Sequence, residues 1–265
     1  MTAAPAQSNV WVRRYHPAPD AGVRLVCFPH AGGSATFYFP VARALSPALD
    51  VLAVQYPGRQ DRHTEPPVDS IHALADVVTD ELLSGWADRP LVLFGHSMGA
   101  MVAYEVATRL QERGAPAAGL LASGRRAPST YRDENVHAAD DEGIVAEMKR
   151  MQGTDEQVFA DEDVLRMILP AVRSDYRAVE TYRHRPGPPL ECPVTVLVGG
   201  DDPQVTPEEA QAWERHTDAS FRLLTYPGGH FYLVAQVPEV LREIREFTDT
   251  VKPAGAGGGA AFPLR

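Results

Sequence analysis

Apolar residues gather in six short runs, at positions 23–28, 50–56, 91–94, 119–123, 193–198 and 221–226. Several are continuous rather than alternating, the pattern of strands buried on both faces of a parallel sheet. Between them the apolar period lengthens to that of a helix. Ile71, Leu74, Val78 and Leu82 share one helical face behind a capping Asp69 or Ser70, and a second helix over 98–113 is ended by Gly114 and Pro116. Positions 206–216 and 237–248 read as two more, each with a proline near its start (Pro207, Pro238), where a missing N–H costs nothing. Strands alternating with helices predict an α/β fold with a mostly parallel central sheet flanked by helices.

The interval from 124 to 192 breaks the alternation, and an inserted helical segment is expected over about 125–190. Within it, "DEDVLRMILPAVRSDYRAVETY" predicts a helix interrupted and kinked at Pro170, which removes a backbone donor. Insertions into such sheets sit at the strand ends where ligands bind, so a helical lid is expected in preference to a subdomain that only packs. The main domain is placed at 13–251, with a flexible N-terminus over 1–12. The Gly/Ala-rich "KPAGAGGGAAFPLR" at 252–265 reads as a flexible tail.

Composition narrows the function classes. A formal charge of −10 over 265 residues disfavours nucleic acid and anionic membranes as partners, because both require a basic face. No apolar run approaches the roughly 18 residues of a membrane span, and "MTAAPAQSNV" lacks the features of a secretory signal, so a cytoplasmic protein is expected. Cys27 and Cys192 each adjoin strand-like sequence without C-x-x-C spacing or a histidine pair, which predicts reduced thiols and no metal site.

The chemistry begins at "FGHSMGA", residues 94–100. A G-x-S-x-G pattern alone is weak, but here it joins a strand to a helix, the setting of an exposed nucleophile at a sharp turn. Gly95 and Gly99 would remove Cβ atoms that clash as strand and helix close. Ser97 then needs a base, an orienter for it and donors for an oxyanion. Among nine histidines, His96 is expected to project away from the serine, His30 and His63 lie in early loops, and His72 and His216 fall on helices. His230, in "YPGGHFYL", follows the last strand and lies at the same end of the sheet as Ser97. The acid comes from "VLVGGDDPQV", where Asp202 is preferred to Asp201 because Pro203 restricts it to extended backbone. The chain order Ser, Asp, His is that of the α/β hydrolases. Met98 is expected to supply the first oxyanion N–H and Ala31 the second, with Gly32 in reserve. Neither G-K-[ST] nor G-x-G-x-x-G follows the glycine-rich loop, which argues against a nucleotide site.

Taken together, "PHAGGSA", "VLAVQYPGRQDRHTEPP", "LFGHSMGAMVAYE", "ASGRRAPSTYRDE", "LPAVRSDYRAVETY", "GGDDPQVT" and "PGGHFYLV" resemble the type II thioesterases that accompany modular polyketide and nonribosomal peptide synthases. The resemblance spans nearly the whole chain, and "PHAGG" and "QYPGR" are far more specific than the serine motif. It implies an α/β-hydrolase fold with a helical lid and catalytic Ser97, Asp202 and His230. The implied substrates are acyl thioesters on the phosphopantetheine arm of acyl or peptidyl carrier proteins, with no cofactor of the enzyme's own. The implied task is removal of aberrant or stalled acyl groups. A carboxylesterase acting on small free esters and a non-catalytic carrier-binding module remain alternatives, since a triad serves several acyl chemistries. Met167, Ile168, Leu169 and Val172 are candidates to line an acyl chamber. Arg59, Arg62, Arg125 and Arg126, beside the motifs, are candidates for carrier contact.

Overall fold

The computed structural model describes residues 10–251 apart from 152, 154 and 155. Seven strands form one sheet: β1 (Val12–Arg13), β2 (Arg24–Phe28), β3 (Asp50–Val54), β4 (Leu91–His96), β5 (Gly119–Ser123), β6 (Val194–Gly199) and β7 (Phe221–Tyr226). Their order is β1-β3-β2-β4-β5-β6-β7, and every pairing is parallel except that of β1 with β3. The helices are α1 (Phe39–Leu45), α2 (Ile71–Gly85), α3 (Met98–Glu112), α4 (Asp141–Met151), α5 (Glu156–Ala160), α6 (Glu162–Glu180), α7 (Pro207–Gln211), α8 (Tyr232–Ala235) and α9 (Val237–Thr250).

The continuous apolar runs have a direct physical cause. Along β2, Val26 and Phe28 belong to one core cluster, with Leu74, Val78 and Val102 of α2 and α3. Leu25 and Cys27 belong to the cluster on the other face, with Leu45 of α1 and Ile244 of α9. From Leu25 to Phe28 each successive side chain meets a helix layer, so none of the four is polar. Edge strand β7 is only partly buried, and exposed Arg222 reaches Glu243 of α9 at 2.8 Å.

The chain leaves β2 to form β3 on one side, then crosses to form β4 on the other. That reversal opens a crevice beyond the carboxyl ends of β2 and β4, the usual ligand position in open α/β sheets. The loop after β2 holds the "HAGG" residues, and Ser97 follows β4 directly.

Three expectations need revision. Val12 pairs with Val54 and is buried, so ordered structure starts before the expected boundary at 13. Two residues of strand carry too little pattern to be seen in sequence. α6 runs unbroken through Pro170, because tertiary contacts hold the helix despite the lost donor. The 206–216 segment is α7 followed by a 3-10 turn over Ala212–His216 rather than one helix. The expected tail at 252–265 and most of the expected flexible N-terminus lie outside the described residues.

The interval between β5 and β6 holds α4, α5 and α6, with a small core of its own made by Ile144, Met148, Leu169 and Val172. Among the described residues, no helix is long and apolar enough to cross a membrane.

Candidate active site

Ser97 caps α3 at φ 54°, ψ −119°, a conformation L residues rarely adopt. Its N–H donates to the Ser123 carbonyl at 2.8 Å, which fixes the turn against β5. Both flanking glycines are obligatory. A Cβ on Gly95 would lie 2.2 Å from the Gly99 carbonyl oxygen, and one on Gly99 would lie 2.0 Å from that of Phe28. Among the described residues the Ser97 hydroxyl makes no hydrogen bond, and it faces a cavity of about 640 Å³ that His230 also lines.

His230 Nδ1 and Asp202 Oδ2 are 2.9 Å apart, and both side chains are buried. The other oxygen of Asp202 accepts the Gln204 N–H at 2.8 Å, while Asp201 is exposed. Asp202 is therefore the acid that the structure brings to His230, and Nε2 is the ring nitrogen left for chemistry. The approach of the two loops depends on Gly199, where a Cβ would sit 2.2 Å from the Gly229 carbonyl oxygen.

Of the expected oxyanion donors, Met98 occupies the first position of α3, where an N–H has no partner within the helix. The Ala31 N–H likewise donates to no acceptor among the described residues. Gly32, the reserve, is excluded because its N–H donates to Asp175 Oδ2 at 2.8 Å.

Residues 23–248 match the thioesterase domain family model. The chain is 53% identical over 246 residues to a probable cadicidin biosynthesis thioesterase of Streptomyces griseus, covering 93% of this chain and 68% of that one. It is 49% identical over 240 residues to thioesterase PikA5 of Streptomyces venezuelae, covering 90% and 85%. The solved type II thioesterase BorB from the borrelidin biosynthetic cluster superposes with TM-score 0.86 at 53% identity, covering 91% of this chain and 99% of that one. The chain belongs to the thioesterase family. Its resemblance to type II thioesterases therefore holds, as do the α/β-hydrolase fold and the thioester hydrolysis that the resemblance implied.

The rest of this thioesterase's cavity divides the expected acyl-chamber residues. Met167 and Ile168 line it, whereas Leu169 and Val172 turn into the core of the insertion. Ile168 packs against that core as well as lining the cavity, so α6 grades from cavity to core around this turn. Leu169 and Val172 are packing residues, while Met148 and Tyr176, which belong to or pack on the same core, also reach the cavity wall along with Val179.

The four arginines suggested for carrier contact are all buried. Arg59 pairs with Asp175, Arg62 with Glu65 and Arg126 with Glu134. Arg125 lines the cavity, and its Nε has no hydrogen-bond partner among the described residues. Burial, then the neighbouring Arg126 charge, pushes its pKa down to about 9. Runs such as "SGRRAP" look like solvated charge because sequence does not reveal which arginines a fold encloses.

His96, expected only to project away from Ser97, belongs to a buried cluster around His230. Its ring lies 5.0 Å from that of His230, centroid to centroid, and its Nδ1 meets Ser123 Oγ at 2.9 Å. Ser123 Oγ in turn meets the Tyr232 hydroxyl at 2.7 Å, so a buried chain of polar groups supports the His230 loop. His30 stands on the other side of His96, ring centroids 6.0 Å apart. Burial first, then the neighbouring His230, pushes His30 down to about 3 and His96 well below the usual histidine range. Both rings therefore stay neutral through the range in which a free histidine titrates, and His230 is the ring of this cluster that is paired with a carboxylate, Asp202.

That burial has a consequence for acid stability. Below pH ~6.5 the unfolded chain protonates both histidines while the native state does not, so stability falls as pH falls. The window runs from about 6.5 down to the native value, near 3 for His30. Each group costs about 1.4 kcal/mol per pH unit within it, so the two together cost about 3 kcal/mol per unit. Burial also lowers His216, to about 4, so urea denaturation at pH 6, 5 and 4 is expected to show a fall at least this steep, and replacing His30 by asparagine to reduce it by about 1.4 kcal/mol per pH unit. A flat profile would mean that the two rings titrate normally.

Proposed function

We propose that this thioesterase releases acyl groups from the phosphopantetheine arm of acyl or peptidyl carrier proteins. The observation that carries the reading is that His230, paired with Asp202, lines the same cavity as Ser97, which is held on a strained turn between two obligatory glycines. Nothing in pure binding requires these three groups together at one cavity.

Ser97 Oγ attacks the thioester carbonyl as His230 Nε2 takes its proton. Asp202 holds the imidazole through Nδ1 and stabilises the imidazolium that forms. The tetrahedral oxyanion takes the Met98 and Ala31 N–H groups. Collapse expels the pantetheine thiol, protonated by His230, and leaves an acyl-Ser97 ester. A thiol has a pKa of about 8.5, so its departure asks less of the acid than an amine's would. Water, deprotonated by the same imidazole, attacks the ester and releases the free acid. The partner class is supported by the type II thioesterase relative from the borrelidin cluster and by the sequence resemblance.

The test is release of free acid from propionyl-phosphopantetheine, alone and on a carrier protein. Hydrolysis that rises at least several-fold with the carrier is the expected result. Preference for a small free ester, without response to the carrier, would make the protein a carboxylesterase. Carrier affinity with no turnover of any acyl group, in folded protein, would make it a binding module.

A further inference from the structure

Asp175 is a completely buried carboxylate in α6, the long helix of the insertion, yet its partners belong to the loops around the catalytic site. Arg59 grips it with both guanidinium nitrogens, Nη1 to Oδ2 at 2.7 Å and Nη2 to Oδ1 at 2.9 Å. Oδ2 also accepts the Gly32 N–H at 2.8 Å. Arg59 Nη1 donates to the Gly33 carbonyl at 3.1 Å as well. The side chain of Gln55 completes the frame, accepting the Ala35 N–H at 2.8 Å and donating to the Arg59 carbonyl at 3.1 Å. Gly32 itself has φ +74° and presses on α6, where a Cβ would lie 3.1 Å from Val172 Cγ2.

The loop from His30 to Ala35 is therefore pinned at the residues after Ala31, while the Ala31 N–H donates to nothing among the described residues. We propose that Asp175 is a positioning residue for the oxyanion hole: through Gly32 and Arg59 it holds the Ala31 N–H where the oxyanion forms. The insertion is then part of the catalytic scaffold rather than only a cover. This rests on the reading of Ser97 as nucleophile and Ala31 as donor.

Stability alone does not account for the arrangement. A buried ion pair can usually be replaced by apolar residues of similar volume at little cost, because desolvation cancels most of the attraction. What an apolar pair cannot supply is the acceptor for Gly32 and the donor for Gly33. Those two bonds set the loop's position, and a misplacement of about 1 Å at a catalytic group is enough to lose about 100-fold in rate.

The test compares Asp175→Asn and the apolar pair Arg59→Met with Asp175→Leu against wild type. Three readouts are needed: kcat and KM on propionyl-pantetheine, affinity for a trifluoromethyl ketone analogue that forms an oxyanion on Ser97, and affinity for a thioether analogue that does not. In Asp175→Asn, kcat is expected to fall roughly 30-fold or more with KM within about threefold. Ketone affinity falls in parallel, and thioether affinity is unchanged. The apolar pair, folded with near wild-type stability, shows the same split.

If the folded apolar pair keeps wild-type kcat and ketone affinity, the ion pair is structural and the proposal is overturned. A rise in KM at constant kcat overturns it too, assigning Asp175 to the acyl chamber. Failure of both variants to fold makes the pair a determinant of folding instead, and likewise overturns it. A wild-type enzyme that hydrolyses the thioester but forms no ketone adduct sensitive to Ser97→Ala would defeat the reading of Ser97 itself.

Discussion

Ser97→Ala is expected to lower kcat by at least about 10⁴-fold, and Asp202→Asn by about 10⁴-fold, with KM changed little in either. The serine variant removes the hydroxyl proposed to carry the acyl group. The asparagine variant keeps the shape of Asp202 but presents an amide to His230 Nδ1, now 2.9 Å from a carboxylate oxygen. The imidazole is then driven to the other tautomer, with its proton on Nε2, where it cannot accept one from Ser97. Because the two residues act in one step, combining the variants should cost no more than Ser97→Ala alone. Single-turnover release of labelled propionate from its pantetheine thioester measures all three. Losses that instead multiply would mean that the groups act in separate steps. Asp201→Asn is the control, since that exposed side chain makes no contact with His230 and should leave kcat unchanged.

The candidate site of Ser97, Asp202 and His230 was legible in sequence because each residue follows the end of its own strand, and strand ends are what apolar runs reveal best. Ser97 follows β4, Asp202 lies three residues beyond β6, and His230 lies four beyond β7. Parallel strands bring those ends to one edge of the sheet, so order along the chain became proximity in space. The choice of Asp202 over Asp201 was legible for a similarly local reason, the proline after it.

Other features depend on contacts between segments far apart in sequence. Asp175 and Arg59 are 116 residues apart, and nothing around either announces the other. In sequence, Arg59 reads as a candidate for carrier contact, and Asp175 is not singled out. Each is buried only because the insertion folds back onto the loops after β2 and β3. For His96 the sequence says no more than that it projects away from Ser97, and not what waits there. The loop after β7 brings His230 over it, which makes it support for the base. The division of residues 167–172 between cavity and core required the rotation of α6, which a continuous apolar stretch does not specify.

Gly99→Ala is expected to prevent folding or to cost more than about 4 kcal/mol, beyond the ordinary range for a single methyl group. An added Cβ would lie 2.0 Å from the Phe28 carbonyl oxygen, 2.6 Å from its carbon and 2.7 Å from the Pro29 oxygen. All three are backbone atoms, so no rotamer change relieves the clash. Either α3 must lift from the sheet or the end of β2 must move. The first displaces Ser97 and the Met98 N–H; the second displaces the loop that carries Ala31. Stability and catalysis are thus tied to the same close approach, and a variant rescued by low temperature should still have depressed kcat. Gly85→Ala provides the contrast. At the last residue of α2 an added Cβ meets nothing within 4 Å, so the methyl group acts only through backbone entropy and is expected to be neutral or to stabilise by up to about 1 kcal/mol. Urea denaturation of both variants checks the pair. Equal, small effects would mean that strand and helix approach less closely than the Gly99–Phe28 contact requires, and the strained conformation of Ser97 would lose its physical basis, since that packing holds the turn at φ 54°.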